Sequence, residues 1–250
     1  MDYNWNWGIF FQLTPDGVHT YLGTLIIGTG WTLATALSAW CLALAMGSLV
    51  GVIRTTPHPW LVQLGNAYVE LFRNIPLLVQ MFLWYFVLPE LLPTELGDWL
   101  KQLPDASFYT AVVALGFYTS ARIAEQVRAG IMSLAGGQRM AALALGLTLP
   151  QTYGYVLLPM AYRIILPPLT SEFLNIIKNS AVALTIGLME LTARARAMQE
   201  FTFQVFEAFT AATVIYLLIN IVVTFGMRWI ERRSAVPGFI GAAPAAAATH

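Results

Sequence analysis

Long apolar stretches constrain the fold of this chain more than any local motif does. The stretch 22–53 contains no Asp, Glu, Lys or Arg. An α-helix needs about 20 apolar residues to cross the hydrocarbon layer of a membrane. With 58% hydrophobic residues, 10% charged residues and a mean hydropathy of +0.65, the chain is too apolar for one soluble core. The sequence therefore predicts an all-α, polytopic membrane protein.

Four further apolar stretches bring the predicted number of transmembrane helices to five. Because an odd number of spans places the two ends on opposite sides, loop charges should indicate the direction. One set of loops carries arginine with little acid, whereas the other carries most of the acidic residues. The arginine-rich set, which we expect to be cytoplasmic, contains Arg54, Arg139, Arg163, Arg228, Arg232 and Arg233. The N-terminus is then outside and the C-terminus inside, and the four further stretches are 60–88, 108 to about 131, about 164 to 188, and 206–230.

The positions of the five predicted spans divide the chain into three parts. Residues 1–20 form a segment outside the membrane, and their acidic start differs from the basic start of a cleaved signal peptide. Residues 21–233 form the transmembrane domain. Residues 234–250 contain small residues and prolines without a periodic apolar face, so we expect a disordered cytoplasmic tail.

Charge and cysteine content argue against several kinds of ligand. Thirteen basic and thirteen acidic side chains cancel, so nothing in the net charge favours nucleic acid as a partner. A single cysteine, Cys41, excludes an internal disulfide and a thiolate metal cluster. Neither Lys101 nor Lys178 follows a glycine, so the chain has no Gly-Lys-Ser/Thr phosphate loop. We therefore expect no metal, no bound cofactor and no ATPase activity in this chain.

A short segment between the third and fourth stretches has the pattern of a helix, a stop and a new start. Residues 138–145 make about two helical turns, and Gly146 tolerates the left-handed backbone that ends many helices. Thr148 can cap the next helix, and Pro150 suits its first turn. From these residues alone, the segment is equally well a plain connection at the membrane surface or a docking surface for another protein.

The same residues resemble a known family. "GQRMAALALG", followed by "LPMAYRIILPPL", is similar to the cytoplasmic coupling motif in the membrane subunits of bacterial ABC importers, in the version found in polar amino acid permeases. "FRNIPLLVQ", "RAGIMSLAGGQ" and "EFLNIIKNSAVA" extend the resemblance over most of residues 20–230. The sequence of residues 146–172 is most similar to the glutamate/aspartate branch of that family.

The resemblance implies a type I ABC importer permease in the bacterial inner membrane that moves polar amino acids, with glutamate and aspartate as the expected substrates. Its implied partners are a dimer of ATP-binding subunits that uses the ATP, a second and different permease, a periplasmic amino acid-binding protein and membrane lipid. A cytoplasmic coupling helix at about 137–150 would sit in a groove of the ATPase. The implied coupling residues are Gly137, Gln138, Arg139, Met140, Ala141, Ala142 and Gly146.

One position departs from the family motif. A glutamate usually precedes the paired alanines, and this chain has Met140 there. Members of the glutamate/aspartate branch also depart from the pattern at this point. The resemblance therefore still implies that Arg139 and the rest of the helix dock on the ATPase.

Polar residues in the fourth stretch predict a substrate path. If Pro167 and Pro168 open its helix, Lys178 lies about 15 Å further along, near the middle of a hydrocarbon layer of about 30 Å. Glu172, Asn175 and Asn179 share one helical face, which Lys178 borders. The face offers charges of both signs, as an amino acid requires. Alternatively, Glu172 and Lys178 pair with each other or with a partner subunit.

The second and third stretches carry further charges. Glu70 and Arg73 lie three residues apart, just before Pro76, which should break the helix. This spacing predicts an ion pair that holds the bend or bridges to a neighbouring subunit, with a gate as the alternative. Arg122, Glu125 and Arg128 repeat the spacing, and we expect them to form a structural network.

Other functions are compatible with parts of the sequence. A self-sufficient channel or secondary transporter would use buried charges in broken helices, but it gives the coupling motif no role. An intramembrane hydrolase would need paired aspartates or a nucleophile with a base, and the predicted spans contain no aspartate. The nearest rival is a permease of the same class for another polar amino acid.

Overall fold

The structure is a computed structural model that describes residues 3–134 and 136–234, and these residues form an all-α fold. Two π-helical turns, Leu83–Val87 and Tyr153–Leu157, and two 3-10 helices, Trp7–Phe11 and Ser180–Ile186, join the α-helices within these residues. The α-helices in chain order are α1 (Tyr21–Ile53), α2 (Pro59–Asn74), α3 (Leu77–Phe82), α4 (Leu88–Leu91), α5 (Thr94–Gln102), α6 (Ala106–Met132), α7 (Gly136–Ala144), α8 (Leu149–Thr152), α9 (Leu158–Asn179), α10 (Leu191–Thr202) and α11 (Val205–Ser234).

Helices α1 and α6 form the centre of the fold and approach each other closely. A methyl group at Gly47 would lie 2.7 Å from Cβ of Ile123, and one at Gly51 would lie 2.7 Å from Cβ of Val127. Both distances are shorter than carbon atoms tolerate, so the two helix backbones can meet only at residues without a side chain. The glycines of α1 therefore set the position of α6, and α6 supplies three of the charged residues described below, Arg122, Glu125 and Arg128.

The helices differ in how well they meet the requirements for crossing a membrane. Helices α1 and α11 are each long and apolar enough to span alone. Two bent pairs also meet the requirement when each is taken as one span: α2 with 77–91, bent by 101°, and 149–186 with α10, bent by 50°. Helix α6 has 27 residues but carries three charges in its second half. By length and composition, the described residues thus contain two to four candidate spans.

The second apolar stretch breaks at Pro76, as its sequence predicts. Helix α2 ends at Asn74, and α3 begins directly after the proline. The break leaves backbone carbonyls without helical N–H donors. The buried side chain of Gln80 supplies the missing donor. Its amide nitrogen donates to the carbonyl oxygens of Phe72, at 2.8 Å, and Ile75, at 2.9 Å. The bend is therefore a hydrogen-bonded element and not a frayed helix end.

The fourth apolar stretch corrects one expectation. Pro167 and Pro168 lie inside α9 and do not open it, because the helix already begins at Leu158. Its start is supplied earlier in the chain by the capped turn at Thr148 and the π-helical turn that follows. Internal prolines are tolerated in membrane helices because neighbouring helices compensate the freed backbone groups. The helix then tightens into the 3-10 segment Ser180–Ile186.

The two ends of the chain differ in what the structure describes. Near the N-terminus, the hydroxyl of Tyr3 donates to the carboxylate of Glu207, and the backbone N–H of Asn6 donates to the same carboxylate at 2.7 Å. The described start of the predicted outer segment, from Tyr3 to Asn6, is thus attached to the start of α11. Of the predicted tail, Ser234 is the last residue of α11, and 235–250 lie outside the described residues.

Candidate functional site

The predicted coupling segment has the helix end that its sequence indicates. Helix α7 spans Gly136–Ala144, and Gly146 adopts a left-handed backbone with φ of +86°. The N–H of Gly146 donates to the carbonyl of Leu143 at 3.0 Å, and the N–H of Leu147 donates to that of Ala142 at 3.2 Å. This pair of bonds is a Schellman motif, in which a glycine lets the chain reverse at low cost. The predicted stop at Gly146 is confirmed.

The predicted restart at Thr148 is also confirmed. The backbone N–H of Thr148 donates to the side-chain oxygen of Gln151 at 2.8 Å, and the N–H of Gln151 faces the Thr148 hydroxyl at 3.5 Å. This reciprocal arrangement is a capping box, with Pro150 in the first turn of α8. The segment 146–151 is therefore a defined corner between two helices.

Helix α7 presents apolar surface to solvent. Met140 is 68% exposed, and Leu145, just beyond the helix, is 84% exposed. Gly137 and Ala141 are also exposed, whereas Gln138 and Arg139 are half-buried. Ala142 corrects the sequence prediction, because it is only 5% exposed and packs inward, where it cannot meet another protein.

The corner is tied to the end of α1 by a buried tyrosine. The hydroxyl of Tyr153 donates to the backbone carbonyl of Thr55 at 2.8 Å and lies 3.0 Å from the Thr55 hydroxyl. Both residues line a cavity of about 260 Å³, together with Arg139 from α7. The coupling segment is thus in contact with the turn between α1 and α2.

A second, larger cavity is polar and opens to the surface. It has a volume of about 580 Å³. We call it the polar cleft. Charged and amide side chains from α2, α6 and α9 line it. They are Arg73, Arg122, Glu125, Gln126 and Glu172, with Ala129 between them.

Glu125 is the centre of the charges around the polar cleft. Its Oε1 atom lies 3.0 Å from Nη2 of Arg54 and 3.2 Å from Nη1 of Arg73. Its Oε2 atom lies 3.9 Å from Nη1 of Arg128. Of the predicted network on α6, the pair of Glu125 with Arg128 is therefore present and extends to Arg73 on α2 and to Arg54 after α1, whereas Arg122 lies nearest to Glu172 instead. We call Glu125, Arg54, Arg73 and Arg128 the Glu125 cluster.

Glu172 is the predicted path residue that reaches the polar cleft. Its Oε2 atom lies 3.9 Å from Nη1 of Arg122, and the amide of Gln126 donates to its Oε1 atom at 3.4 Å. Arg122 also donates to the hydroxyl of Tyr118 at 2.6 Å. The charge partner of Glu172 is thus Arg122 and not Lys178, so the predicted pair of Glu172 with Lys178 is not formed.

Lys178 and Asn179 lie further along α9 than their sequence positions predict. Because α9 begins at Leu158, Lys178 is its second-last residue and lies about 30 Å from its start. It is exposed and has no carboxylate within 4 Å among the described residues. Asn175, one turn beyond Glu172, is half-buried. The four predicted residues therefore follow one helix but do not converge on one point.

The predicted ion pair between Glu70 and Arg73 is wrong within this chain. Arg73 extends to Glu125 on α6, whose position against α2 brings the two side chains together. Glu70 is exposed and pairs with no basic residue in the part of the chain that the structure describes. The alternative interpretation, a contact of Glu70 with a neighbouring subunit, stays a prediction.

Sequence reasoning missed three buried charges, Arg54, Glu190 and Glu207. Arg54, interpreted only as a loop charge, has a side chain that is 7% exposed and also donates to Asn66 at 2.8 Å. Glu190, interpreted as an outer-loop acid, is fully buried at the start of α10. The sequence carried little signal for Glu190, because the common helix caps are Ser, Thr, Asp and Asn, and the helix that it starts, α10, has no apolar run.

Comparison with known proteins decides the family of the chain. Residues 43–236 match the family described as binding-protein-dependent transport system inner membrane component. The chain belongs to this family. Members are inner membrane components, in agreement with the apolar helices α1 and α11. The predicted class, a permease subunit, is confirmed.

Two relatives of this family member cover nearly its whole length. It is 50% identical to the glutamate/aspartate import permease protein GltJ of Escherichia coli K12, over 96% of this chain and 99% of GltJ. It is 37% identical to the probable glutamine ABC transporter permease protein GlnM of Bacillus subtilis 168, over 89% of this chain and 94% of GlnM.

Solved structures of similar shape support the fold. A crystal structure of an amino acid ABC transporter with histidines is 31% identical, with a TM-score of 0.72, over 85% of this chain and 95% of that chain. An inward-facing MetNI methionine ABC transporter has a TM-score of 0.71 at 19% identity, over 86% of this chain and 98% of the other, and agrees in fold alone. The chain thus has the type I ABC permease fold.

Proposed function

We propose that this permease imports glutamate and aspartate across the inner membrane as one subunit of an ATP-driven complex. The observation that carries the proposal is the 50% identity to GltJ over 96% of the chain. A separate dimer of ATP-binding subunits hydrolyses the ATP, a second permease completes the pore, and a periplasmic protein delivers the amino acid. The chain itself acts as a transport subunit and binds no cofactor.

The charges around the polar cleft support an acidic substrate. Four guanidinium groups and two carboxylates meet there, which leaves an excess of two positive charges. An acidic amino acid carries one net negative charge at neutral pH, so this field favours its entry. The charged side chains are Arg54, Arg73, Arg122, Arg128, Glu125 and Glu172.

We propose that the substrate passes along the face of α9 that carries the predicted residues. Glu172 meets the substrate ammonium, while Arg122 is close enough to take a carboxylate when the substrate separates the pair. Asn175, Lys178 and Asn179 continue this path towards the end of α9. The exposed ammonium group of Lys178, which pairs with no carboxylate of the described residues, is available for the second carboxylate.

The coupling segment provides the proposed contact with the ATPase. The exposed side chains of Met140 and Leu145 form an apolar docking surface beside Gly137 and Ala141. Met140 makes this contact by burial of its side chain, where the family motif uses a glutamate. The corner at Gly146 fixes the direction of this surface relative to α8. Closure of the ATPase then moves α7, and α7 moves the helices that follow it.

The proposed topology has five spans, with the N-terminus outside and the C-terminus inside. The spans are α1, the bent pair of α2 with 77–91, α6, α9 and α11. Two of the three charges of α6, Arg122 and Glu125, line the polar cleft, which supplies the protein and water contacts that membrane-embedded charges need. This arrangement places α7 in the cytoplasm, where an ATPase can reach it.

A second candidate is import of another polar amino acid by the same kind of complex. The 37% identity to GlnM, a probable glutamine permease, favours glutamine as that rival. A self-sufficient secondary transporter is less well supported, because such a transporter has no role for the exposed apolar side chains of α7 or for the corner 146–151.

Uptake and copurification test the proposal together. Cells with and without this chain are supplied with radiolabelled glutamate, aspartate and glutamine, and a tagged chain is purified in mild detergent. We expect chain-dependent uptake of glutamate and aspartate, with an ATPase and a second permease in the purified complex. Chain-dependent uptake of glutamine alone would support the rival. Uptake by liposomes that contain only this chain would refute the ABC importer mechanism.

A further inference from the structure

The turn between α1 and α2 touches two functional regions at once. Thr55 contacts Tyr153, just beyond the corner that follows the coupling helix, and the neighbouring Arg54 belongs to the Glu125 cluster. Adjacent residues of one short turn therefore reach the ATPase side of the chain and the polar cleft.

The contact on the coupling side is short and buried. Tyr153 lies five residues after the cap at Thr148 and is 6% exposed. Its hydroxyl meets both the carbonyl and the hydroxyl of Thr55. Because a close-packed interior transmits displacement, movement of the π-helical turn that carries Tyr153, just beyond the corner 146–151, moves Thr55 with it.

The contact on the cleft side crosses α2 at a glycine. A methyl group at Gly65 would lie 2.5 Å from Cγ of Arg54, so the arginine side chain occupies the space of the missing side chain. Its guanidinium then reaches Asn66 on α2 and Glu125 on α6. Within the described residues, its buried Nη1 atom has no hydrogen-bond partner. Arg54 therefore keeps one donor free for a different acceptor after the turn has moved.

Glu125 carries the movement further. The same Oε1 atom accepts from Arg54 and from Arg73, which lines the polar cleft. A shift of Arg54 changes the position of Glu125 or its pairing with Arg73. The chain of contacts is therefore continuous from the coupling corner to the polar cleft.

We propose that Tyr153 and Arg54 are positioning residues that transmit movement of the coupling segment to the polar cleft. Tyr153 passes the displacement to the α1–α2 turn through Thr55, and Arg54 passes it to Glu125 and Arg73. Neither residue touches the ATPase or the substrate in this mechanism. The inference rests on the proposed function, since it needs an ATPase that moves α7.

The first test removes only the phenol hydroxyl. Tyr153→Phe keeps the buried ring, and the matched control is Tyr155→Phe, whose side chain is exposed and makes no hydrogen bond in the described structure. The complex is reconstituted with its ATPase, second permease and binding protein, and substrate transported per ATP hydrolysed is measured. We expect this ratio to fall about fivefold in Tyr153→Phe, the low end of common coupling effects, and to stay unchanged in the control.

A second variant disturbs the contacts of Arg54, which form the other half of the proposed transmission. Gly65→Ala places a methyl group where Arg54 lies and leaves all polar groups in place. Gly30→Ala is the control, because a methyl group at Gly30 meets nothing within 4 Å. We expect the transport ratio to fall in Gly65→Ala and to stay unchanged in Gly30→Ala.

A reporter on α2 separates transmission from a merely structural role. Leu71→Cys, in a Cys41→Ser background, places a thiol at an exposed position two residues before Arg73. We expect ATP to change its rate of maleimide labelling, and Tyr153→Phe to abolish that change while ATP hydrolysis continues. A structural defect would change labelling with and without ATP alike.

A normal transport ratio in Tyr153→Phe, or an ATP-dependent labelling change that survives in it, overturns the inference. That result is distinguishable from failure of the proposed function. If the function fails, the unaltered complex shows no ATP-driven uptake of glutamate or aspartate. If only the inference fails, the unaltered complex transports normally and Tyr153→Phe equals Tyr155→Phe.

Discussion

Nη1 of Arg122 on α6 lies 3.9 Å from Oε2 of Glu172 on α9, at the wall of the polar cleft. The two groups are close enough to attract each other but too far apart for a direct hydrogen bond. A zwitterion can therefore exchange with the pair without breaking a strong contact. This geometry leads to the first prediction.

Glu172→Gln should weaken uptake of the acidic amino acid. The amide keeps the size of the side chain but loses the charge that meets the substrate ammonium. A hydrogen bond to a charged group contributes about 1.5–3 kcal/mol, so we expect KM for uptake to rise about tenfold or more. Radiolabelled uptake over a range of concentrations measures this, with Glu200→Gln on the exposed part of α10 as control. Equal KM values in the two variants would exclude Glu172 from the path.

Lys178→Met should also raise KM, because it removes the exposed ammonium group at the end of α9. We expect a smaller effect, about threefold, since an exposed charge is screened by water and salt. Lys101→Met is the matched control, because Lys101 pairs with Glu90 at 2.7 Å near α5, away from α9. Uptake with unaltered affinity and rate in Lys178→Met would remove this residue from the path.

Gly146→Val should uncouple ATP hydrolysis from transport. Its φ of +86° is strained for any residue with a side chain, at a cost of about 1–2 kcal/mol, and more for a branched one. The Schellman motif should open, and α7 should lose its fixed direction. ATPase stimulation by substrate and binding protein measures the effect, with Gly30→Val as control. Stimulation equal to that of the unaltered complex would contradict the proposed role of the corner.

Glu190→Ala should destabilise the junction of α10 with α11. Its buried carboxylate accepts from the backbone N–H groups of Thr192 and Ala193, at 2.9 and 2.8 Å, and from the hydroxyl of Tyr216 at 2.9 Å. Loss of the carboxylate leaves these donors buried without acceptors, so we expect a loss of about 3 kcal/mol.

Thermal unfolding in detergent measures this loss, and Glu200→Ala, an exposed acid on the same helix, is its control. Glu190→Gln should lose less, since its side-chain oxygen can still accept. If Glu190→Ala and Glu200→Ala melt at the same temperature, the buried carboxylate has no stabilising role.

Gly51→Ala should disturb the packing of α1 on α6. The new methyl group would lie 2.7 Å from Val127 and 2.9 Å from the backbone carbonyl of Ala124, which cannot move aside. Overpacking of this kind costs about 1–3 kcal/mol. Gly30→Ala on the same helix should be neutral. Equal yields and melting temperatures of the two purified variants would mean that α6 can shift without cost.

Much of the candidate site follows from local sequence. The stop at Gly146, the cap at Thr148 and the break at Pro76 each depend on backbone preferences of one or two residues. Such preferences act over a single turn of chain, so a sequence pattern can predict them. The predicted start of the fourth helix was wrong for a related reason: the pattern showed two prolines, but the capping box and the π-helical turn before them start the helix earlier.

By itself, the sequence determined the apolar helices and the residues at which several of them start, break or end. Through a resemblance in its motifs, it also determined the class of transport subunit. Only the tertiary structure decided which charges meet. Glu125 pairs with Arg54 from the α1–α2 turn and with Arg73 from α2, although Glu70 is nearer to Arg73 in sequence. Glu172 meets Arg122, although Lys178 is nearer to Glu172 in sequence. The physical reason is that a side chain interacts with what lies within a few ångströms, and helix packing sets those distances, here through glycines such as Gly51 and Gly65 that let helices and an arginine approach.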